Sequence, residues 1–142
     1  MPVDGDVLKA RVSEVAFAMN ELRRLVSKPF AQLNVDEKYS MRYNIVVLVE
    51  SIVSLCIHIA VEAYAKTPAS YREAIRLVAE RLNVSCVNNL TSMVGLRNIL
   101  IHRYWLVDDE RVYEAVKTDF KCVEEFLSRV GEMFPVGNES LR

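Results

Sequence analysis

The chain has 142 residues, enough for one domain with a real core and too few for two comfortable ones. Its composition, 51% hydrophobic and 26% charged, is globular and excludes intrinsic disorder. A formal net charge of −1 argues against bulk electrostatic binding of DNA, because affinity for a phosphate backbone comes mainly from neutralising many phosphates, and no specific DNA binding is expected; a local basic cleft reading a short RNA segment stays compatible with it.

Taken in chain order, the pattern predicts helices throughout, with an ordered core from about residue 6 to 134. Apolar residues at Leu8, Val12, Val15, Phe17, Met19, Leu22, Leu25 and Val26 follow helical spacing. Lys28-Pro29 stops that helix, since a residue before proline avoids the helical region. Asp36 is the expected N-cap of a second helix running to about Lys66. Within it, Ile45-Val46-Val47-Leu48-Val49 alone would pass for a strand, but no glycine or proline interrupts Asp36 to Thr67, so length decides for helix. A helix apolar on most of its circumference must be buried on most of it, which points to a partner subunit as well as an internal core. The stretch Ile45–Val61 carries Glu50, two serines and His58, so it is read as a core helix and no membrane span is expected.

Thr67-Pro68 breaks the chain again. Ser70-Tyr71-Arg72-Glu73 is a capping-box pattern opening a third helix to about Leu82. Asn83 to Asn89 reads as a turn, and a fourth helix starts at about Leu90. Asp108, Asp109 and Glu110 are read as a cap and acidic first turn, not a metal site, opening a last helix to about Met133. Pro135-Val136-Gly137 ends it, leaving a frayed tail. Cys56, Cys86 and Cys122 stand singly, without a C-x-x-C pair, and are expected as buried thiols in a reducing cytoplasm. The acidic start, Met1-Pro2-Val3-Asp4-Gly5-Asp6, lacks the order of a signal peptide.

The fourth helix holds the one set of groups suited to chemistry, Arg97-Asn98-Ile99-Leu100-Ile101-His102-Arg103-Tyr104. Histidine moves a proton near neutral pH and arginine holds phosphate charge. Residues five apart sit about 140° around a helix, so Arg97 and His102 do not share a face, whereas Asn98 and His102 do. Arg97 and Tyr104, seven apart, would lie nearly in register. Either the arginine reaches around, or two subunits each lend half a site. The structural alternatives are a histidine complementing the helix dipole, Trp105 and Leu106 as core anchors rather than a base-stacking platform, and Glu50 and His58 as satisfied core or interface groups.

The segment from Met93 to Trp105, with Val107-Asp108 and Val112-Tyr113 after it, resembles the signature of HepT-like toxins in the HEPN superfamily. The likeness covers roughly Asp6 to Phe134, including the Tyr39-to-Ala60 helix and the Tyr71-to-Leu82 segment. It implies an all-α, up-and-down bundle that dimerises, with the two R-x4-H segments lining a shared cleft. It further implies a metal-independent endoribonuclease with no cofactor, the toxin of a type II or VII-like toxin–antitoxin pair. Such toxins are partnered by a minimal nucleotidyltransferase antitoxin that adds AMP to the motif tyrosine. Carried over, Arg97 and His102 are the catalytic pair, Asn98 a supporting group and Tyr104 the modification site. Arg103 departs from relatives, where this position is often acidic. The reading from a different class is a non-catalytic nucleotide- or phosphate-binding module that docks a nucleotidyltransferase.

Overall fold

The computed structural model describes residues 3–135, and among them the chain forms six helices, one more than the sequence pattern predicts. They are α1 (Gly5–Val26), α2 (Val35–Tyr64), α3 (Tyr71–Arg81), α4 (Val87–His102), α5 (Asp109–Thr118) and α6 (Lys121–Met133), with 3-10 turns at Phe30–Gln32 and Tyr104–Leu106. No strand occurs among the described residues, so the all-α expectation holds. The expected tail lies outside the described residues.

Asp4 caps α1, its Oδ1 accepting from the Asp6 and Val7 amides at 2.9 and 3.3 Å. Asn34, not the expected Asp36, caps α2. Its Oδ1 accepts from the Glu37 amide at 2.8 Å, and Glu37 Oε1 accepts from the Asn34 amide at 3.1 Å. Only position 34 has a glutamate three residues on, so only there can both amides be satisfied reciprocally. Asp36 falls in the first turn, where its charge still complements the dipole. Ser70 caps α3 as expected, but Glu73 reaches one residue further back, to the Ala69 amide at 2.9 Å.

The 30-residue α2 is the axis of the bundle, with α1, α3, α4 and α5 packed around it. It is long and apolar enough to cross a membrane, yet 61% of that apolar window is buried inside the fold. The burial that suggested a partner subunit is therefore largely supplied within the protomer: Leu48 and Val53 are both buried there. One stripe of α2 stays open. Tyr39, Tyr43, Ser54, Ile57 and Val61 are exposed and Glu50 half-buried, all within about 60° of one another around the axis.

The expected last helix is broken in two at Asp119–Phe120 without glycine or proline. Apolar residues Val112, Val116, Phe120, Val123, Phe126 and Val130 keep helical spacing through the break, which hid it. Side-chain anchors fix the start of α6: Asn89 Nδ2 donates to Asp119 Oδ1 at 3.2 Å, and Cys122 is joined to Cys86 by a disulfide. That bond corrects the expectation of three free thiols. The two cysteines lie 36 residues apart and meet because α4 begins against the start of α6; Cys56 alone is free, and buried.

Candidate active site

The inner side of α4 explains where the outer side points. Leu90, Thr91, Met93, Val94 and Leu100 are buried, leaving Arg97 and Asn98 half-buried at the boundary with α2 and His102 exposed at the helix end. Arg97 is fixed by its neighbours. Its Nε lies 2.8 Å and its Nη2 2.6 Å from Glu50 Oε1, and Nη1 donates to Asn98 Oδ1 at 2.9 Å. The Tyr71 ring lies beneath the guanidinium, 5.1 Å from its centroid. The Tyr71 hydroxyl donates to Glu50 Oε2 at 3.0 Å, and that bond, with burial second, holds the phenol above its ordinary pKa and protonated. Nη1 and Nη2 each keep an N–H not committed to these partners, so an oriented arginine can still grip an anion.

Glu50 was expected to be a satisfied core or interface group; it is satisfied, and its partner is the arginine of the candidate pair. His58 was expected to be satisfied and is not: its Nε2 is buried with no hydrogen-bond partner among the described residues.

His102 is the last residue of α4, next to its free carbonyls. Its side chain makes no hydrogen bond among the described residues and is open to a substrate. Arg103 leaves the helix with φ −139° and ψ 43°, and the chain turns through Tyr104–Leu106 toward α5. The register that put Tyr104 in line with Arg97 is therefore lost, because Tyr104 is not on the helix. It is 62% exposed, its ring edge-on to Trp105 with centroids 5.4 Å apart. Trp105 and Leu106, expected as core anchors, are 67% and 60% exposed. The turn is tied down beyond them. Asp108 caps α5, and Asp109 takes a two-point ion pair from Arg42 of α2 at 2.7 and 2.9 Å.

Two adjoining grooves flank Asn98. One, of about 460 Å³, is lined by Arg72, Gly95, Asn98, Ile99, His102 and Arg103; the other, of about 290 Å³, includes Tyr71, Arg72, Val94 and Arg97. Arg97 and His102 thus open on different grooves of one protomer, with Arg72 and Asn98 common to both. Arg72 and Glu50 are the site residues that sequence reasoning did not assign. A carboxylate inside an apolar helix signalled that Glu50 needs a cation, and Gly95 in mid-helix signalled a close approach, but neither names its partner.

The sequence pattern described as ribonuclease HepT-like matches residues 15–130. The chain belongs to the HepT-like family. Solved structures agree in fold. The tri-AMPylated Shewanella oneidensis HEPN toxin in complex with MNT antitoxin is 21% identical, with a TM-score of 0.78 over 89% of this chain and 98% of that one. A toxin–antitoxin structure with AMP-PNP is 21% identical, with a TM-score of 0.75 over 88% and 98%. The Bacillus subtilis protein YutE, described as cytosolic and of unknown function, is 16% identical, with a TM-score of 0.73 over 87% and 88%. No curated protein sequence matches the chain. In this HepT-like bundle the R-x4-H-x-Y segment straddles a helix end: Arg97 and Asn98 stand on the helix, His102 closes it, and Tyr104 follows in the turn.

Proposed function

We propose that the chain is the toxin of a toxin–antitoxin pair, a metal-independent endoribonuclease with Arg97 and His102 as its catalytic pair. The observation that carries this is an arginine oriented by Glu50 and Asn98, with N–H groups to spare, one groove away from an exposed histidine. RNA brings its own nucleophile. The 2′-oxygen attacks the adjacent phosphorus, His102 takes the hydroxyl proton or returns one to the departing 5′-oxygen, and the chain breaks into a 2′,3′-cyclic phosphate and a 5′-hydroxyl. Arg97 stabilises the charge growing on the non-bridging oxygens. Asn98 supports it by holding Nη1.

Two copies of the site make the division of labour complete. In a homodimer joined along the open α2 stripe, which runs past Glu50 and Arg97, one protomer's Arg97 groove can face its partner's His102 groove. The neighbours solved with an MNT antitoxin support a minimal nucleotidyltransferase as the protein partner. In neutralisation the Tyr104 phenol oxygen attacks the α-phosphorus of ATP, pyrophosphate departs, the phenol proton is lost, and AMP stays on the tyrosine. The exposure of Tyr104 suits that reaction. Action in the cytoplasm belongs to the same reading; in a reducing compartment Cys86 and Cys122 would stand as adjacent thiols.

The second reading, a non-catalytic module binding a nucleotide or phosphate, is favoured by the separation of Arg97 and His102 within one protomer. A single 2′-deoxy substitution at a mapped cleavage position separates the two. The nuclease reading requires that this substitution blocks cleavage and that the unmodified product carries a cyclic phosphate; RNA bound and never cut supports the module.

A further inference from the structure

We infer that Arg72 is a second phosphate-binding residue, holding the phosphodiester next to the one Arg97 grips, so that the ligand is a single-stranded RNA segment spanning both grooves. This rests on the ribonucleotide reading above for its ligand but not on cleavage. Three observations carry it. First, Arg72 lines both grooves, and so does Asn98, so a chain passing from the Arg97 side to the His102 side must cross it.

Second, the local charge is available. Arg97 shares its charge with Glu50 at 2.6 Å. Arg72 and Arg103 have no ion pair and no side-chain hydrogen bond among the described residues, and they share the His102 groove. In a chain of net charge −1, unpaired arginines around one groove form a local anion site that the overall balance conceals.

Third, Arg72 lies close against α4 at Gly95. Its Nη2 lies 3.0 Å from where a Cβ at Gly95 would stand. A glycine in mid-helix costs about 1 kcal/mol relative to alanine, and here its missing Cβ lets the guanidinium lie against α4 beside Asn98. Alanine at 95 would ask the flexible guanidinium to give by only a few tenths of an ångström.

The test uses the full chain as its His102→Ala form, so that RNA is bound and not consumed. Anisotropy of a labelled single-stranded oligoribonucleotide is measured across a salt series, with Arg72→Gln, Arg72→Lys and Gly95→Ala added singly. Each phosphate neutralised on a single strand contributes about 0.7 to the slope of log K against log salt. Arg72→Gln is expected to weaken binding roughly tenfold and to lower the slope by about 0.7. Arg72→Lys should keep the slope, and Gly95→Ala, which moves the guanidinium only slightly, should keep the slope with at most a small loss of affinity. Unchanged affinity and slope in Arg72→Gln would overturn the inference, as would weaker binding with an unchanged slope, or no binding of RNA by any form. Wild-type protein that leaves the same RNA intact, while the Arg72→Gln slope falls, would overturn the nuclease reading and leave this one standing.

Discussion

Glu50 Oε1 takes both the Nε and the Nη2 of Arg97, at 2.8 and 2.6 Å, across the boundary between α2 and α4. The arginine side chain is only 17% exposed, so the pair sets where its remaining N–H groups point. Removing one member of a half-buried pair leaves the other only partly compensated by solvent. Glu50→Ala is therefore expected to lower kcat at least tenfold and destabilise the fold by about 1–3 kcal/mol. Glu50→Gln, which keeps an acceptor, should cost less in both. KM and kcat measured with thermal unfolding check this; wild-type kcat in Glu50→Ala would show that the pair is not needed to aim Arg97.

The α2 face decides what an introduced charge does. Leu48 and Val53 are buried inside the protomer, so Leu48→Asp and Val53→Asp should unfold it, each costing about 4 kcal/mol or more. Ile57, 40% exposed on the open stripe, should behave differently. If the chain pairs as proposed, wild-type protein scatters light as a dimer, and Ile57→Asp is expected to keep its helicity by circular dichroism and to scatter as a monomer. A dimer that persists through Ile57→Asp and Tyr43→Asp together would place the interface elsewhere.

Tyr104 should be a handle for modification and dispensable for bond cleavage. At 62% exposure, its loss to phenylalanine should change stability by no more than about 0.5 kcal/mol. Tyr104→Phe is expected to cleave RNA, to accept no AMP from the nucleotidyltransferase with ATP and magnesium, and to escape neutralisation that depends on AMP. Intact-mass analysis followed by the RNA assay reads all three, and AMP added to Tyr104→Phe would contradict the assignment.

The Tyr71–Glu50 hydrogen bond gives a pH signature. The folded-state pKa of Tyr71 is raised, chiefly by that bond. Its contribution to stability is fully present below the unfolded phenol value near pH 10 and is lost as pH rises through the raised native value. Denaturant unfolding from pH 8 to 11 should show stability declining at the alkaline end in the wild type and a shallower decline in Tyr71→Phe. Parallel curves would mean that the bond does not form in solution.

Most of the fold was legible because its signals are local. Ser70 caps α3, Pro29 ends the first helical stretch, and Asp108 opens α5, each through a neighbour within a few residues. Tertiary anchors decided what sequence reading missed. The Asp119–Phe120 break keeps the apolar spacing, so only the Asn89 bond and the Cys86 disulfide reveal it. At the site, Arg97 and His102 stood out by chemistry alone, whereas their surroundings depended on contacts across the fold. Glu50 is 47 residues from Arg97, and Arg72, on α3, comes against α4 at Gly95. Trp105 and Leu106 were misplaced because apolar character was read as burial, while the turn that ends α4 carries both outward.

The most direct test of the account incubates purified wild-type protein with total RNA in EDTA, beside the His102→Ala and Arg97→Ala forms at matched helicity. Cleavage by the wild type, undiminished by the chelator and abolished in both variants, is the predicted result. Cleavage that persists in highly purified His102→Ala protein, or that requires a divalent metal, would contradict it.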